Sequence, residues 1–222
     1  MEPNQPIRNP WTSIWTRPGD TIEQIVKTNP KNSVIVLAAV SGFSEFLYQL
    51  SELNVGGHYN GAQIAIFSLI AGSILGAVML YILAGLLRWS GKWLGGNASP
   101  EHLRAAVSWA NVPTIWALLL WIPRIALLGH DAFLPAAIVV KQTPNLVGTL
   151  WVLQMIQLVI GIWALIIFSK CVGRVQHFSA MKGFLNIVLS LIILMLCVTV
   201  LFSIVSMFVP SLASMSSPVS GM

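Results

Sequence analysis

The residues best suited to chemistry lie where chemistry is costly. Ser41, Glu45, Tyr48, Gln49 and Glu52 recur at helical spacing within an apolar stretch from Ser33 to Leu53, and on a helical wheel they share one side. Glu45 falls about 18 Å along that stretch, slightly past the middle of a bilayer. A carboxylate at that depth costs roughly 3 kcal/mol on insertion scales. It is therefore expected to face the interior of a bundle. Two roles fit it: a proton or ion site, or a structural carboxyl hydrogen-bonded to neighbouring helices.

A second polar group lies further along. In Asn111-Val112-Pro113 the proline removes a backbone donor and should kink its helix. Arg104, Ser108 and Asn111 share a face there, and Asn111 is suited to satisfy carbonyls freed at the kink. Arg124 projects almost opposite that face on an ideal wheel. It is expected near Glu52 as a pairing partner, with Glu45 at longer reach. Broken helices line substrate paths in some transporters, whereas most membrane prolines only bend a helix. Gln154, Gln157 and Gly161 share a face of a later apolar run, and Asn186, Ser190 and Cys197 mark another. Such residues ordinarily join helices, at about 0.6 kcal/mol each.

Motifs for enzymatic chemistry are missing from the sequence. There is no phosphate-binding loop, no HExxH, no spaced aspartate pair and no serine–lysine arrangement. His58, His102, His130 and His177 fall in connections without a partner at metal-ligand spacing. A non-enzymatic protein with no cofactor and no metal is expected. Cys171 and Cys197 lie in or beside apolar runs and are expected as free thiols.

The elements that must position these residues are membrane spans. Only 9% of the 222 residues are charged and 56% are hydrophobic, against about a quarter charged in soluble domains. Ala62 to Leu87 is 26 residues without a charge. As a helix it would rise roughly 39 Å, more than the ~30 Å hydrocarbon core. Ala65, Ser68, Gly72 and Gly76 fall on one arc of it. A neighbouring backbone could approach closely there, and the Gly72/Gly76 face is a candidate for self-association. Further spans are expected at Ser33–Leu53, Leu103–Leu128, Leu146–Val172 and Gly183–Val209. The fold class is thus all-α, a polytopic bundle of five transmembrane helices, in residues 33–209. The uncharged tail, residues 210–222, is expected to be disordered.

Residues 1–32 precede the bundle. Asn9 and Pro10 suit a helix start, and Trp11, Ile14 and Trp15 share a face. Pro18-Gly19 should end this turn, after which Asp20 with Glu23 offers a second cap. Two short amphipathic helices are expected, either lying in the membrane interface or packed on the bundle. No signal peptide is visible, so the first span is expected to remain in the mature chain.

Of the twelve Lys and Arg, ten flank one side of the five spans, and only Arg124 and Lys141 go to the other. The positive-inside rule then places the N-terminus in the cytoplasm and the tail outside. These dispersed basic residues form no stripe, so nucleic acid is excluded as a partner despite the net charge of +5.

The segment Asn9-Pro10-Trp11-Thr12-Ser13-Ile14-Trp15-Thr16-Arg17-Pro18, followed by Thr21-Ile22, resembles the N-terminal signature of short bacterial Yip1-domain proteins. Ser108-Trp109-Ala110-Asn111-Val112-Pro113 is similar to a second family element. The resemblance implies a multi-spanning protein of a bacterial cytoplasmic membrane, without enzymatic activity. Eukaryotic relatives bind small Rab-type GTPases and act in membrane traffic and organisation. This chain lacks their acidic Asp-Leu-Tyr-Gly-Pro-Leu-Trp type segment and longer N-terminal arm, so GTPase binding does not carry over.

Of two functions, a non-enzymatic scaffold or adaptor in membrane organisation or protein trafficking is the expected one, and a small transporter or channel subunit is the alternative. A scaffold or adaptor would use Trp11, Ile14, Trp15, Arg17 and Pro18 against an unknown membrane or cytoplasmic protein, with the bilayer as lipid partner. A small transporter or channel subunit would use Glu45, Gln49, Glu52, Asn111 and Arg124. The second requires a cavity that reaches Glu45.

Overall fold

The computed structural model describes residues 9–215, and the part of the tail beyond Met215 lies outside the described residues. Every regular element described is helical. Two short helices, α1 (Pro10–Thr16) and α2 (Pro18–Thr28), precede five helical stretches long and apolar enough to cross a membrane. These spans are Val34–Glu52, Gly61–Trp93, Pro100–Phe133, Pro144–Val175 and Ala180–Ser206. The helix of the fifth continues to Met215, so the backbone stays helical past the expected end of the bundle at Val209.

The third span is the least regular, and its first part is deeply buried. Its first part, Pro100–Ala110, is capped by Ser99, which accepts from the His102 N–H. Ala105, Ala106, Ser108 and Trp109 on it are all but fully buried. It packs on the first, second and fourth spans and on α2. Small residues let four neighbours approach one helix. At Asn111 the helix breaks. Asn111 N–H turns to the Ser108 carbonyl, and its side-chain amide takes over the Val107 carbonyl at 3.1 Å. The amide thus does what the kink was expected to require of it.

The first and second spans meet through glycine. A Cβ on Gly42 would lie 2.3 Å from the Gly72 carbonyl oxygen, and one on Gly76 would lie 2.3 Å from that of Ala38. The Gly72/Gly76 face is therefore spent on the chain's own first span, which corrects its assignment to self-association. A π-helical turn, Ser68–Gly72, ends at this crossing. The fourth and fifth spans close in the same way, Gly183 lying against the Ser169 carbonyl.

At the basic end a buried polar cluster joins the second span to the fifth. Ser90 donates to Asn186 Oδ1 at 2.6 Å and lies 2.8 Å from the Ser190 hydroxyl, while Asn186 Nδ2 donates to the Leu87 carbonyl. These are the joining contacts expected of Asn186 and Ser190. Gln176 adds a second donor to Leu87 and accepts from Ala98 N–H. Cys171 is a buried free thiol and Cys197 an exposed one.

The N-terminal helices dock on this end. Asn9 caps α1 as expected, accepting from Trp11 N–H at 3.0 Å. The first helix ends at Thr16, just before Pro18, as expected; Pro18 also opens α2 at the first helical position, where its missing N–H costs nothing. Asp20 then falls inside the first turn instead of capping it. Glu23 is drawn away to Lys27 and Arg174, tying α2 to the fourth span. The Lys27 ammonium, and then the Arg174 guanidinium, hold the Glu23 carboxyl below its ordinary range. Ile14, Ile22 and Ile25 enter the main core beside Leu37, Leu103 and Val172. Of the two arrangements open for these helices, packing on the bundle is the one observed.

Candidate functional site

A furrow of about 1230 Å³ runs between the first four spans, the second adding a largely apolar wall of Leu75, Met79, Leu80 and Leu83. Span one contributes its polar face, Ser41, Glu45, Tyr48, Gln49 and Glu52. Span three contributes Ser108, Asn111, Thr114 and Arg124, and span four Gln154 and Gln157. All five residues proposed for an intramembrane polar site therefore line one space. Gln154 and Gln157, expected to join helices, line it as well. The helical spacing of the two glutamines was the available signal, but it cannot tell a helix seam from a cavity wall.

Glu45 faces this furrow and is exposed to it. Its one side-chain partner among the described residues is the Gln49 amide, which donates to Oε1 at 2.9 Å. A carboxylate accepts about four hydrogen bonds. Most of its acceptor capacity therefore opens on the furrow. Ser108, on the floor, is fully buried, and its hydroxyl has no hydrogen-bond partner among the described residues.

Arg124 does not form the expected ion pair with Glu52. Its Nε donates to the Ala132 carbonyl at 3.0 Å and its Nη2 to that of Leu134 at 3.1 Å, with the guanidinium over the Trp121 ring. The chain turns back after Leu128, and this brings unpaired carbonyls to the guanidinium. Arg124 lines the furrow with Asn111, although an ideal wheel sets it on the far side. Thirteen residues at about 100° leave the two roughly 220° apart. The tight 3₁₀ stretch Ala117–Leu120 turns about 120° per residue and brings them to within roughly 60°.

The far end of the furrow is walled by an element the sequence did not announce. The connection expected at Gly129–Asn145 contains a helix, Ala136–Gln142, and its Ala136, Val139 and Val140 line the furrow. His130 pins this region to the first connection through the Gly56 carbonyl at 2.8 Å.

The N-terminal candidates do not form one surface. Ile14 and Pro18 are buried against the bundle and are unavailable to a partner, which corrects their assignment as interface residues. Trp11 is 40% exposed and meets Trp109 edge to face at 5.6 Å. Trp15 is half-buried, and its carbonyl accepts from Trp163 Nε1. Arg17 is exposed. The described residues contain no group of three or more His, Cys, Asp and Glu placed to hold a metal ion.

Comparison with curated proteins and with solved structures gave no match. The family model for the Yip1 domain matches residues 12–202, from α1 through the fifth span. That stretch holds both the docked N-terminal helices and every wall of the furrow, and the chain belongs to the Yip1 family.

Proposed function

We propose that this integral membrane protein is non-enzymatic and acts as a small transporter or channel-type subunit, with the furrow as its solute path and Glu45 as the contact midway along it. One observation carries this: a cavity does reach Glu45, and the polar residues of three spans converge on it. A buried structural carboxyl would instead be enclosed and fully bonded. On the positive-inside rule we read the basic end as cytoplasmic and the other end as outside, and on the family resemblance we read the membrane as a bacterial cytoplasmic one.

Thiol labelling in liposomes tests the path. In a background with Cys171→Ala and Cys197→Ser, we expect Glu45→Cys and Gln49→Cys to react with a membrane-impermeant thiol reagent. Ile70→Cys and Ile74→Cys, exposed midway along the second span and outside the furrow lining, should stay unreacted. Protection of both furrow positions from either side of the membrane would overturn the reading.

A second reading, as a scaffold or adaptor in membrane organisation or trafficking, is supported by the partly exposed Trp11 beside the exposed Arg17. It predicts that Trp11→Ala with Trp15→Ala strips proteins that co-purify in mild detergent. An identical set of co-purifying proteins would count against it.

A further inference from the structure

The shape and charge of the furrow narrow the solute, given that the furrow is a path. Its polar residues form a ladder, not a patch. On span three they run from Ser108 to Arg124, roughly 24 Å of helix against a ~30 Å hydrocarbon core. Span one supplies Ser41, Glu45, Gln49 and Glu52 over much of the same depth. Yet the furrow is not a closed pore. Glu45 and Gln49 on one lip are exposed, as are Trp151, Leu158 and Ile162 on the other. A solute inside it therefore touches polar groups on one side and hydrocarbon on the other.

We propose that the furrow carries the headgroup of a phospholipid bearing a primary ammonium, while the acyl chains stay in the bilayer through the open side. The protein would then let this lipid move between leaflets without an energy source. An amphiphile is the class that satisfies both halves of the environment at once. A small hydrated ion would have to be shielded from hydrocarbon along the whole open side, at a cost nothing in the furrow offsets.

Charge selects the headgroup. Glu45 and Glu52 both line the path against Arg124, the single cation lining it among the described residues. An ammonium suits the carboxylates, and a phosphate suits Arg124, which keeps N–H donors beyond the two it spends on carbonyls. A primary ammonium donates hydrogen bonds, so it meets the open acceptor sites of Glu45 and the Gln49 carbonyl oxygen; a quaternary one cannot. An anionic glycerol headgroup would meet two carboxylates with no positive charge of its own.

The test is leaflet exchange in liposomes holding the full chain. Trace phospholipids labelled on an acyl chain, with ethanolamine, choline or glycerol headgroups, are bleached from outside by dithionite. Empty liposomes keep about half the fluorescence. With the protein, we expect the ethanolamine lipid to lose most of that protected half, the choline lipid to lose it several-fold more slowly, and the glycerol lipid most slowly of all. Glu45→Gln with Glu52→Gln should erase the preference for ethanolamine. Glu52→Gln alone, at the exposed mouth where folding does not depend on it, should weaken that preference. Exchange no faster than in empty liposomes, a fastest glycerol lipid, or an unchanged headgroup order in both variants would overturn the proposal. Labelled furrow cysteines without lipid movement would leave the path standing and remove only its lipid solute.

Discussion

Gly42→Leu will prevent the first two spans from closing on one another. A single Cβ at that position lies 2.3 Å from the Gly72 carbonyl oxygen and 2.5 Å from Gly76 Cα. Both obstacles are backbone, so no rotamer change relieves them, and the helices must separate. Overpacking by a side chain alone costs about 1–3 kcal/mol, and the backbone contact sets the lower bound here. The surface lost is large, because each glycine in the Gly42–Gly72–Gly76 set faces another one's backbone. In mild detergent we expect the melting temperature to fall by about 5–10 °C or more. Gly85→Leu is the internal control. It sits on the same second span, exposed, with nothing within 4 Å of a new Cβ. If the two variants melt together, the glycine crossing is not what holds these spans.

That crossing also shows where sequence reasoning reaches its limit. The arc of Gly72 and Gly76 was plain, and it correctly implied close backbone approach. Which backbone approaches is a tertiary fact, since Gly42 in the first span and a second copy of the chain look alike to a helical wheel. The spans themselves were legible because lipid imposes one period and one length on every crossing. The polar face of the first span was legible for the same reason. Arg124 was misplaced because a wheel assumes 100° per residue, and four residues of tighter winding move everything after them. Ile14 and Pro18 were read as surface because a short amphipathic helix looks the same whether its apolar face meets lipid or protein. Gln176 carried no signal. Its fit against Gly91 and Gly96, where an added Cβ would strike its amide, joins residues 80 or more positions apart.

The misplaced arginine leads to the second large effect. Arg124→Lys is expected to loosen the wall of the furrow although it keeps the charge. The guanidinium serves two carbonyls at once through Nε and Nη2, and Ala132 and Leu134, which own those carbonyls, are both buried. An ammonium on a flexible stem is a point donor and cannot hold that fork geometry. One carbonyl is then left without a partner, at a cost of about 1–3 kcal/mol. The loss falls on the turn that leads into Ala136–Gln142, and so on Val139 and Val140 at the furrow. Hydrogen exchange should therefore speed up across residues 131–142 and stay unchanged across Val34–Glu52. Arg124→Leu, which abandons both carbonyls, should extend the same pattern and lower the melting temperature further. Equal exchange in wild type and both variants would mean that the turn holds itself. Arg124 would then matter only as the cation at the furrow mouth, and Arg124→Lys would leave both stability and leaflet exchange intact. Fold and function thus make opposite demands of the same lysine, and measuring both on one preparation decides which of them the arginine serves.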